Sequence, residues 1–333
     1  MQSHCPMVDG HGDIPMDVFL RRCDGAHRVL DTCYGEKLES AGVQVQAMAI
    51  YVEEQYKPYR SLEMALRMLE SLLEDLEESG RFLLIKTRSD LDAVLEQEKI
   101  GVLLDLEGCE PAEGGLELLH LLFRLGVRMV GLTWNQRNRL ADGIAERESC
   151  GGLTCYGRAF LAEADALGIM VDVSHLAPAG IDDVLRLSKG HVLASHAAAA
   201  AIYDHPRNLS DAHIRALAAR GGLIGVPAYP YLLGPSPSVE TVVDHIAYLL
   251  EIAGEDHVGI GADFVDIFAE MIRRGRMGRE WIVPKEDETV GLRGVGDLPN
   301  LIGTMELRGF PEQVIEKVAG GNYLRFFRNA LPI

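Results

Sequence analysis

The chain has 333 residues and a formal net charge of −18, with 47% apolar and 25% charged side chains. This composition is typical of a globular protein with a substantial core. The length suits one large barrel with insertions better than two average domains, so we expect a single domain over residues 1–333. The acidic charge argues against nucleic acid or an anionic membrane as a partner, because both require clustered Lys and Arg.

No segment approaches the roughly 20 apolar residues that span a bilayer. The N-terminal segment MQSHCPMVDGHGD also lacks the basic and apolar regions of a secretory signal. These two features favour a cytoplasmic protein. We expect free thiols rather than disulfides or a structural zinc knuckle, because the cysteines have no tight repeating spacing. The cysteines are Cys5, Cys23, Cys33, Cys109, Cys150 and Cys155.

Apolar runs of strand length alternate with longer segments of helical period, which is the pattern of parallel βαβ units. Continuous apolarity in IGVLLDL and IMVDV is typical of strands buried on both faces. We therefore expect an α/β fold, a closed (β/α)8 TIM barrel, with an open doubly wound sheet as the alternative. The eight predicted strands are Met7–Asp9, Val43–Val52, Ile100–Leu106, Val127–Leu132, Ile169–Val173, Val192–Ala194, Leu223–Pro227 and Val258–Gly261.

Six helices are predicted between these strands from their apolar periodicity. Thr154 and Ser210 are expected to open two of them as N-terminal caps. The predicted helices are Leu62–Glu78, Gly115–Leu125, Leu153–Leu167, Ala179–Ser188, Asp211–Arg220 and Val239–Ala253.

The last quarter of the chain contains two regions of different character. Residues 266–296 lack clean periodicity, and we predict a long loop over the mouth of the barrel. From Leu298 to Asn329 the helical period returns, with Pro311 at a helix start and Gly320 and Gly321 near a helix end.

Side chains of the kind that bind metals follow five of the predicted strands. The C-terminal ends of all barrel strands meet at one face, where active sites of this fold lie, so these side chains would meet in one mouth. Taken singly, each could be an ordinary turn or loop residue, and only their shared position at strand ends indicates a site. The residues are His11, Asp13, Glu107, His175, His196 and Asp263.

The ligand types and their spacing indicate the metal. In an extended His-x-Asp segment both side chains point the same way, as expected of His11 and Asp13. Imidazole and carboxylate ligands suit Zn2+, with Mn2+, Co2+ or Fe2+ also possible. Two such ions lower the pKa of water and polarise a carbonyl, which is the chemistry of amide or ester hydrolysis.

The other histidines are less suited to metal binding. They lie on predicted helices, at strand starts or in the N-terminal segment, and we expect structural roles for them. These are His4, His27, His120, His191, His213, His245 and His257, whereas His205 is left open between the two roles.

Several segments spread over nearly the whole chain carry a family likeness. They are VDGHGDIP, LLDLEG, GLTWNQRNRLADG, GLTCYGRAFLAEADALGIMVDVSH, ASHAAAAAIYDHPRNLSD, DHVGIGADF and GGNYLRFFRNAL. With these segments the chain resembles the membrane (renal-type) dipeptidase family of zinc metallopeptidases, in a form typical of cytoplasmic bacterial or archaeal members. The run from Gly152 to His175 and the segment DHPRNLSD are the most specific.

The resemblance implies a dipeptidase with two Zn2+ ions per chain. His11 and Asp13 would bind one ion, His175 and His196 the other, and Glu107 would bridge both. The resemblance also implies that small dipeptides are the substrates, L,D-dipeptides among them.

The resemblance further implies two residues that act on the substrate. Arg207 would hold the substrate carboxylate, a task suited to the bidentate guanidinium group. Asp263 would transfer the proton between the attacking water and the leaving amine, and it forms the catalytic pair with Glu107.

One departure from the family concerns the substrate pocket. Trp134 stands where mammalian members carry a histidine, and an indole cannot become cationic. The metals and Asn135 would then stabilise the oxyanion. Gly12 also stands where the family commonly has Asn.

Other functions and assemblies fit the same residues. The site would equally serve an N-acyl amino acid, another small amide or a lactone, although a lactone offers Arg207 no carboxylate. A third hypothesis is a metal-stabilised binding protein without activity, but such a protein has no structural need for Asp263. We also expect a homodimer, because barrels of this kind commonly pair.

Overall fold

The computed structural model of the chain describes residues 6–273 and 288–333, without the side chains of Ala269 and Glu270. All strand pairings within these residues are parallel. The strands are β1 Met7–Asp9, β2 Val43–Tyr51, β3 Phe82–Leu84, β4 Ile100–Glu107, β5 Val127–Gly131, β6 Met170–Asp172, β7 Val192–Leu193, β8 Ile224–Val226 and β9 Val258–Ile260. Their order is β7-β6-β5-β4-β2-β1-β9-β8, with β3 paired to β4.

Backbone hydrogen bonds join the two ends of this order. The amide of Ala194, just after β7, donates to the carbonyl oxygen of Leu223 at 2.9 Å, and its own carbonyl accepts from the amide of Gly225 at 2.8 Å. Eight strands therefore form a closed barrel, which confirms the predicted (β/α)8 fold and excludes the open sheet. All eight predicted strands are present with small shifts at their ends, whereas the three-residue β3 was not predicted.

The six predicted helices are confirmed, with ends that shift by two residues or fewer. Thr154 and Ser210 cap theirs as predicted, accepting hydrogen bonds from the amides of Gly157 at 2.9 Å and His213 at 3.3 Å. Helices α1, α2 and α4 were not predicted. The helices are α1 Ile14–Cys23, α2 Glu36–Ala41, α3 Ser61–Glu78, α4 Arg88–Glu96, α5 Leu116–Leu125, α6 Cys155–Leu167, α7 Pro178–Leu187, α8 Asp211–Ala219, α9 Val239–Ala253, α10 Asp266–Arg273, α11 Leu298–Leu307, α12 Glu312–Glu316 and α13 Asn322–Ala330.

The prediction of a loop over residues 266–296 was wrong for its first eight residues. Helix α10 occupies the first eight positions, because Phe268 and Met271 lie one turn apart and are buried together. A short 3-10 turn forms at Val295–Asp297. Residues 274–287 of that prediction lie outside the described residues.

The prediction that Gly320 and Gly321 lie near a helix end was also wrong. They belong to a π-helical turn, Lys317–Gly321, that joins α12 to α13, whereas the expected helix start at Pro311 is confirmed by its position as the N-cap of α12. A Cβ atom at Gly320 would overlap the carbonyl oxygen of Pro6. The glycine therefore permits the close approach of this helix to β1 and does not mark its end.

Tyr323 of α13 fills the lower part of the barrel. Its side chain is fully buried, and its hydroxyl donates to the carbonyl oxygen of Ser195 at 3.2 Å. Gly225 and Gly259 make room for the ring, since added Cβ atoms would lie 2.6 Å from its Oη and 2.7 Å from a ring carbon. The side chain of Tyr323 thus fills space inside the barrel beneath the C-terminal ends of the strands.

Two further expectations are met in the described chain. Cys23, Cys33, Cys109, Cys150 and Cys155 are free thiols, and Cys5 lies outside the described residues. None of the described helices has the length and apolarity needed to cross a bilayer.

Candidate metal centre and substrate pocket

The six predicted metal-site side chains lie together at the C-terminal end of the barrel. His11, Glu107 and His196 offer ligand atoms that all lie within 4.8 Å of one another, and so do His11, Asp13 and Asp263. His175 joins the first group through Glu107, because its Nε2 lies 2.9 Å from the carboxylate Oε1. Closure of the barrel explains this convergence, since the six residues end or follow five different strands.

Glu107, the last residue of β4, lies close to three imidazole rings. Its Oε1 is 2.9 Å from His175 Nε2 and 3.8 Å from His196 Nε2, whereas its Oε2 is 3.8 Å from His11 Nε2. Two ligands of one tetrahedral zinc, with bonds of about 2.0–2.1 Å, lie roughly 3.3 Å apart. The spacings of 2.9 and 3.8 Å between this carboxylate and the histidines are therefore close to the spacing of ligands that share a metal ion.

His11 shows that the site suits a metal. Its side chain is 1% exposed, and neither ring nitrogen has a hydrogen-bond partner among the described residues. A buried polar group left unpaired costs about 1–3 kcal/mol. A bound cation would give Nε2 the partner that the protein does not provide.

The protonation states of the histidines also suit metal binding. Burial lowers the pKa of His11 to about 3 and lowers the pKa values of His175 and His196 well below their usual range. All three rings are therefore neutral at pH 7, which is the form that binds metal ions.

The carboxylates show the opposite shift for the same reason. Burial raises the pKa of Glu107 and of Asp13 well above the usual range, and the neighbouring carboxylate of Asp263 raises both further. Burial raises the pKa of Asp263 to about 6, against the opposing charge of Arg207. These crowded acids lack sufficient positive charge in the protein, and divalent cations would supply it.

Arg207 provides a positive group beside the metal ligands. Burial lowers its pKa to about 10, so it remains charged at neutral pH, and Asp263 is the strongest of its opposing acids. Its Nη1 atom is buried without a hydrogen-bond partner in the described part of the chain. A charged donor in that state is suited to bind an incoming anion.

His205, which sequence alone left open, lies beside Arg207. Its Nδ1 accepts a hydrogen bond from the backbone amide of Arg207 at 3.2 Å, and its ring stacks on Tyr203 with centroids 6.2 Å apart. His205 thus supports the turn that carries the arginine.

Trp134 forms an aromatic wall on the His175 side of the site. Its ring centroid lies 5.8 Å from that of His175 and 5.0 Å from that of Tyr51. The ammonium group of Lys57 lies 4.9 Å from the Tyr51 centroid and 5.5 Å from that of Trp134, and it pairs with Glu54 Oε1 at 2.9 Å. This wall therefore combines apolar rings with a neutralised cation.

The next residue along the chain, Asn135, contacts a metal-ligand candidate directly. Its Oδ1 lies 2.8 Å from His175 Nδ1. Because an amide oxygen only accepts, His175 carries its hydrogen on Nδ1 and directs the Nε2 lone pair into the site. The amide oxygen of Asn135 is thus engaged in orienting His175.

Sequence reasoning missed three buried aspartates on the strands, Asp9, Asp105 and Asp172, each at most 3% exposed. Asp9 Oδ1 accepts hydrogen bonds from the amides of Ala262 at 2.8 Å and His11 at 3.3 Å, and Asp105 Oδ2 lies 3.8 Å from His11 Nδ1. The sequence does carry a signal for them. Each lies within or at the end of an apolar strand, where a carboxylate is costly unless it has partners.

A (β/α)8 barrel with histidines and carboxylates gathered at the C-terminal ends of its strands defines a metal-dependent hydrolase. A sequence profile of the membrane dipeptidases, peptidase family M19, matches residues 1–274. The chain belongs to this family of metallo-dipeptidases, as the sequence analysis predicted.

Individual relatives extend over most of the chain. An uncharacterised protein from the pqqA 5′ region of Klebsiella pneumoniae is 30% identical over 262 residues, which cover 75% of this chain and 90% of that protein. Dipeptidase verJ of Clonostachys rogersoniana is 28% identical over 345 residues, covering 96% and 83% of the two chains.

A solved structure shares the fold. The metallopeptidase of Rhodobacter sphaeroides, crystallised with a phosphinate mimic of the dipeptide L-Ala-D-Ala, has a TM-score of 0.83 at 23% identity, covering 98% of this chain and 100% of that one. This similarity extends to the barrel and its surrounding helices.

Proposed function

We propose that the chain is a two-zinc dipeptidase that hydrolyses small dipeptides with a free C-terminal carboxylate. His11 and Asp13 hold one ion, His175 and His196 hold the other, and Glu107 is shared. The observation that carries the proposal is the position of Glu107, whose Oε2 lies 3.8 Å from His11 Nε2 and whose Oε1 lies 2.9 Å from His175 Nε2 and 3.8 Å from His196 Nε2.

The bound ions supply one part of the chemistry, since two divalent cations lower the pKa of water and polarise the scissile carbonyl. The protein contributes neutral imidazoles and buried carboxylates, a ligand set that suits Zn2+ and would also accept Mn2+, Co2+ or Fe2+. Burial keeps bulk water from competing with the substrate for these groups.

Arg207 binds the substrate carboxylate in this proposal. Its unpaired and buried Nη1 supports this role, because a guanidinium holds a carboxylate with two parallel hydrogen bonds. The amino-terminal residue of the substrate then lies toward the wall formed by Trp134 and Tyr51, on the His175 side of the site.

Asp263 carries the proton from the attacking water to the leaving amine. Its carboxylate Oδ1 lies 4.0 Å from His11 Nε2, at the edge of the candidate metal centre. A carboxyl group beside the metal centre can accept a proton and then release it, which is the chemistry that this role requires.

The test is hydrolysis by metal-stripped protein, with and without added Zn2+, of L,L-dipeptides, L,D-dipeptides, N-acetyl-D-amino acids and a lactone. The L,D-dipeptides are included because the related metallopeptidase binds a mimic of L-Ala-D-Ala. Zinc-restored cleavage of dipeptides supports the proposal and ranks their stereochemistry. Cleavage confined to the acylated amino acids or the lactone contradicts the proposed substrate. If the protein binds two metals and hydrolyses none of these compounds, the proposed activity is contradicted.

A further inference from the structure

We propose that Asp172 and Ser195 form a hydrogen-bond relay that fixes which ring nitrogen of His196 carries the hydrogen. The relay would thereby keep Nε2 of His196 free to bind metal. This inference rests on the metal site of the proposed function. Asp172 is the last residue of β6, and Ser195 lies just beyond the neighbouring β7.

The Asp172 carboxylate is surrounded by four donors. Its Oδ1 accepts hydrogen bonds from the amide of Ser174 at 3.0 Å, from the Ser174 hydroxyl at 2.7 Å and from the amide of Ser195 at 2.9 Å. Its Oδ2 accepts from the Ser195 hydroxyl at 2.5 Å. Asp172, Ser174 and Ser195 are all buried, so these bonds are not shared with bulk solvent.

The direction of the relay follows from this arrangement. The Ser195 hydroxyl has one hydrogen, and it donates that hydrogen to Asp172 Oδ2. Only oxygen lone pairs then remain toward His196 Nδ1, which lies 2.8 Å from Ser195 Oγ. His196 must therefore donate from Nδ1.

The consequence appears on the opposite side of the ring. A neutral imidazole has one N–H, so Nε2 of His196 carries a lone pair. That atom lies 2.9 Å from His175 Nε2 and 3.8 Å from Glu107 Oε1, at the candidate metal centre. Asp172 itself has its described hydrogen bonds with Ser174 and Ser195, and we assign it as a positioning residue.

The Asp172→Asn variant tests the direction of the relay. Two backbone amides and a hydroxyl surround the Oδ1 position, so the Asn oxygen is expected there and its NH2 group at the former Oδ2 position. The NH2 group then donates to Ser195 Oγ, and the Ser195 hydroxyl turns to His196. Nδ1 of His196 must accept, and the hydrogen moves to Nε2, where it blocks metal binding.

We expect a weaker metal site without loss of the fold. Loss of such an outer partner typically lowers metal affinity about 10- to 100-fold. Metal content of the full chain after dialysis against a weak chelator should fall from two ions to one in Asp172→Asn. Ser195→Ala removes the relay without forcing the wrong tautomer, so its loss of affinity should be smaller.

Ser188→Ala is the matched control. It removes another serine-to-aspartate hydrogen bond, partly buried, from Ser188 Oγ to Asp165 Oδ1 at 2.8 Å, at the end of α7. Neither residue belongs to the candidate site, and this variant should keep the metal content of the parent chain. An equal loss of metal in Ser188→Ala and Asp172→Asn would show that the loss reflects a general effect on stability, and it would overturn the proposal.

The tautomer itself is read from two-bond 15N–1H correlation spectra of the histidines, recorded on metal-free and zinc-loaded protein. Nδ1–H on His196 in the parent chain and Nε2–H in metal-free Asp172→Asn support the relay. Nδ1–H in both, or unchanged metal affinity in Asp172→Asn, overturns it. A parent chain with the predicted tautomer that binds no zinc would instead contradict the proposed function, which separates the two failures.

Discussion

The Nε2 atoms of His175 and His196 lie 2.9 Å apart, and each ring is held at Nδ1 by a neighbouring side chain. Two lone pairs at this distance repel each other unless a proton or a cation lies close to both. Burial lowers the pKa of both rings and thus disfavours the proton. The arrangement leaves a metal ion as the natural partner of the pair.

Metal binding should therefore release protons from carboxyl groups and not from histidines. The raised pKa values of Glu107 and Asp13 favour the protonated form of these acids in the metal-free protein, and zinc must displace such protons. Affinity should rise with pH. Calorimetric titration with zinc in buffers of different ionisation enthalpy measures the released protons, and Glu107→Gln should release fewer. Zinc uptake without proton release at pH 7 would contradict this prediction.

Replacing Arg207 should weaken the hold on the substrate carboxylate. Arg207→Lys keeps the charge but loses the bidentate geometry, whereas Arg207→Gln loses both, so the losses should increase in that order. Charge-assisted hydrogen bonds contribute about 1.5–3 kcal/mol, which corresponds to a fall of about 10- to 150-fold in kcat/KM for Arg207→Gln.

C-terminally amidated dipeptides provide the control for this experiment. They lack the carboxylate, so the parent chain and both variants should cleave them at similarly low rates. An equal fold loss on free and amidated substrates would show that Arg207 supports the structure instead of binding the carboxylate.

Asp263→Asn should remove proton transfer and leave the fold intact. Asp263 has a φ angle of 52°, in the left-handed region that Asn tolerates better than most residues. We expect kcat to fall by about 10²- to 10⁴-fold, the usual contribution of a general acid or base. The bound metals should be counted in parallel. A variant that loses its metals along with its activity would mark Asp263 as a ligand instead of a proton carrier.

Asp9 should make the metal-free protein less stable as the pH rises. Its pKa is raised to about 7 by burial, from 3.8 for an unperturbed group, so the folded state binds more protons than the unfolded state between these values. The stability it contributes is complete below pH 3.8 and is lost as the pH rises through about 7. The shift in pKa corresponds to a loss of up to about 4 kcal/mol in the free energy of unfolding.

Urea unfolding of the metal-free parent and of Asp9→Asn at pH 5 and pH 8 measures this effect. The Asn side chain keeps an oxygen for the amides of Ala262 and His11 but does not titrate. The free energy of unfolding should therefore fall less between the two pH values in the variant. An identical pH dependence of the free energy of unfolding in the two proteins would show that Asp9 does not cause the loss of stability.

The positions of the candidate ligands were predictable because a closed barrel brings residues that are distant in sequence close together. His11, His196 and Asp263 lie far apart in the chain, yet each follows a strand, and all strand ends meet at one face. Helices α1, α2 and α4 were missed, although α1 and α4 are as long as some of the helices that were predicted. For α4 a local signal existed, since Thr87 and Asp90 form a capping box at its start.

The contacts that orient the candidate ligands were not predictable in the same way. Asn135 could be expected near the site, but its contact with His175 depends on how the two side chains are turned. The bond between Asp172 and Ser195 requires the register of β6 against β7, which apolar patterning does not specify. Sequence therefore indicated the candidate ligands, whereas only the structure showed what holds them in place.

The contact between Asp9 and Ala262 spans 253 positions of the chain. It belongs to the seam where β1 pairs with β9, and it ties the segment of His11 to the segment of Asp263. A refolding chain must close this very large loop before the two segments meet, and contacts between such distant residues form slowly. Partly folded chains should therefore be inactive, with activity returning only as the seam closes.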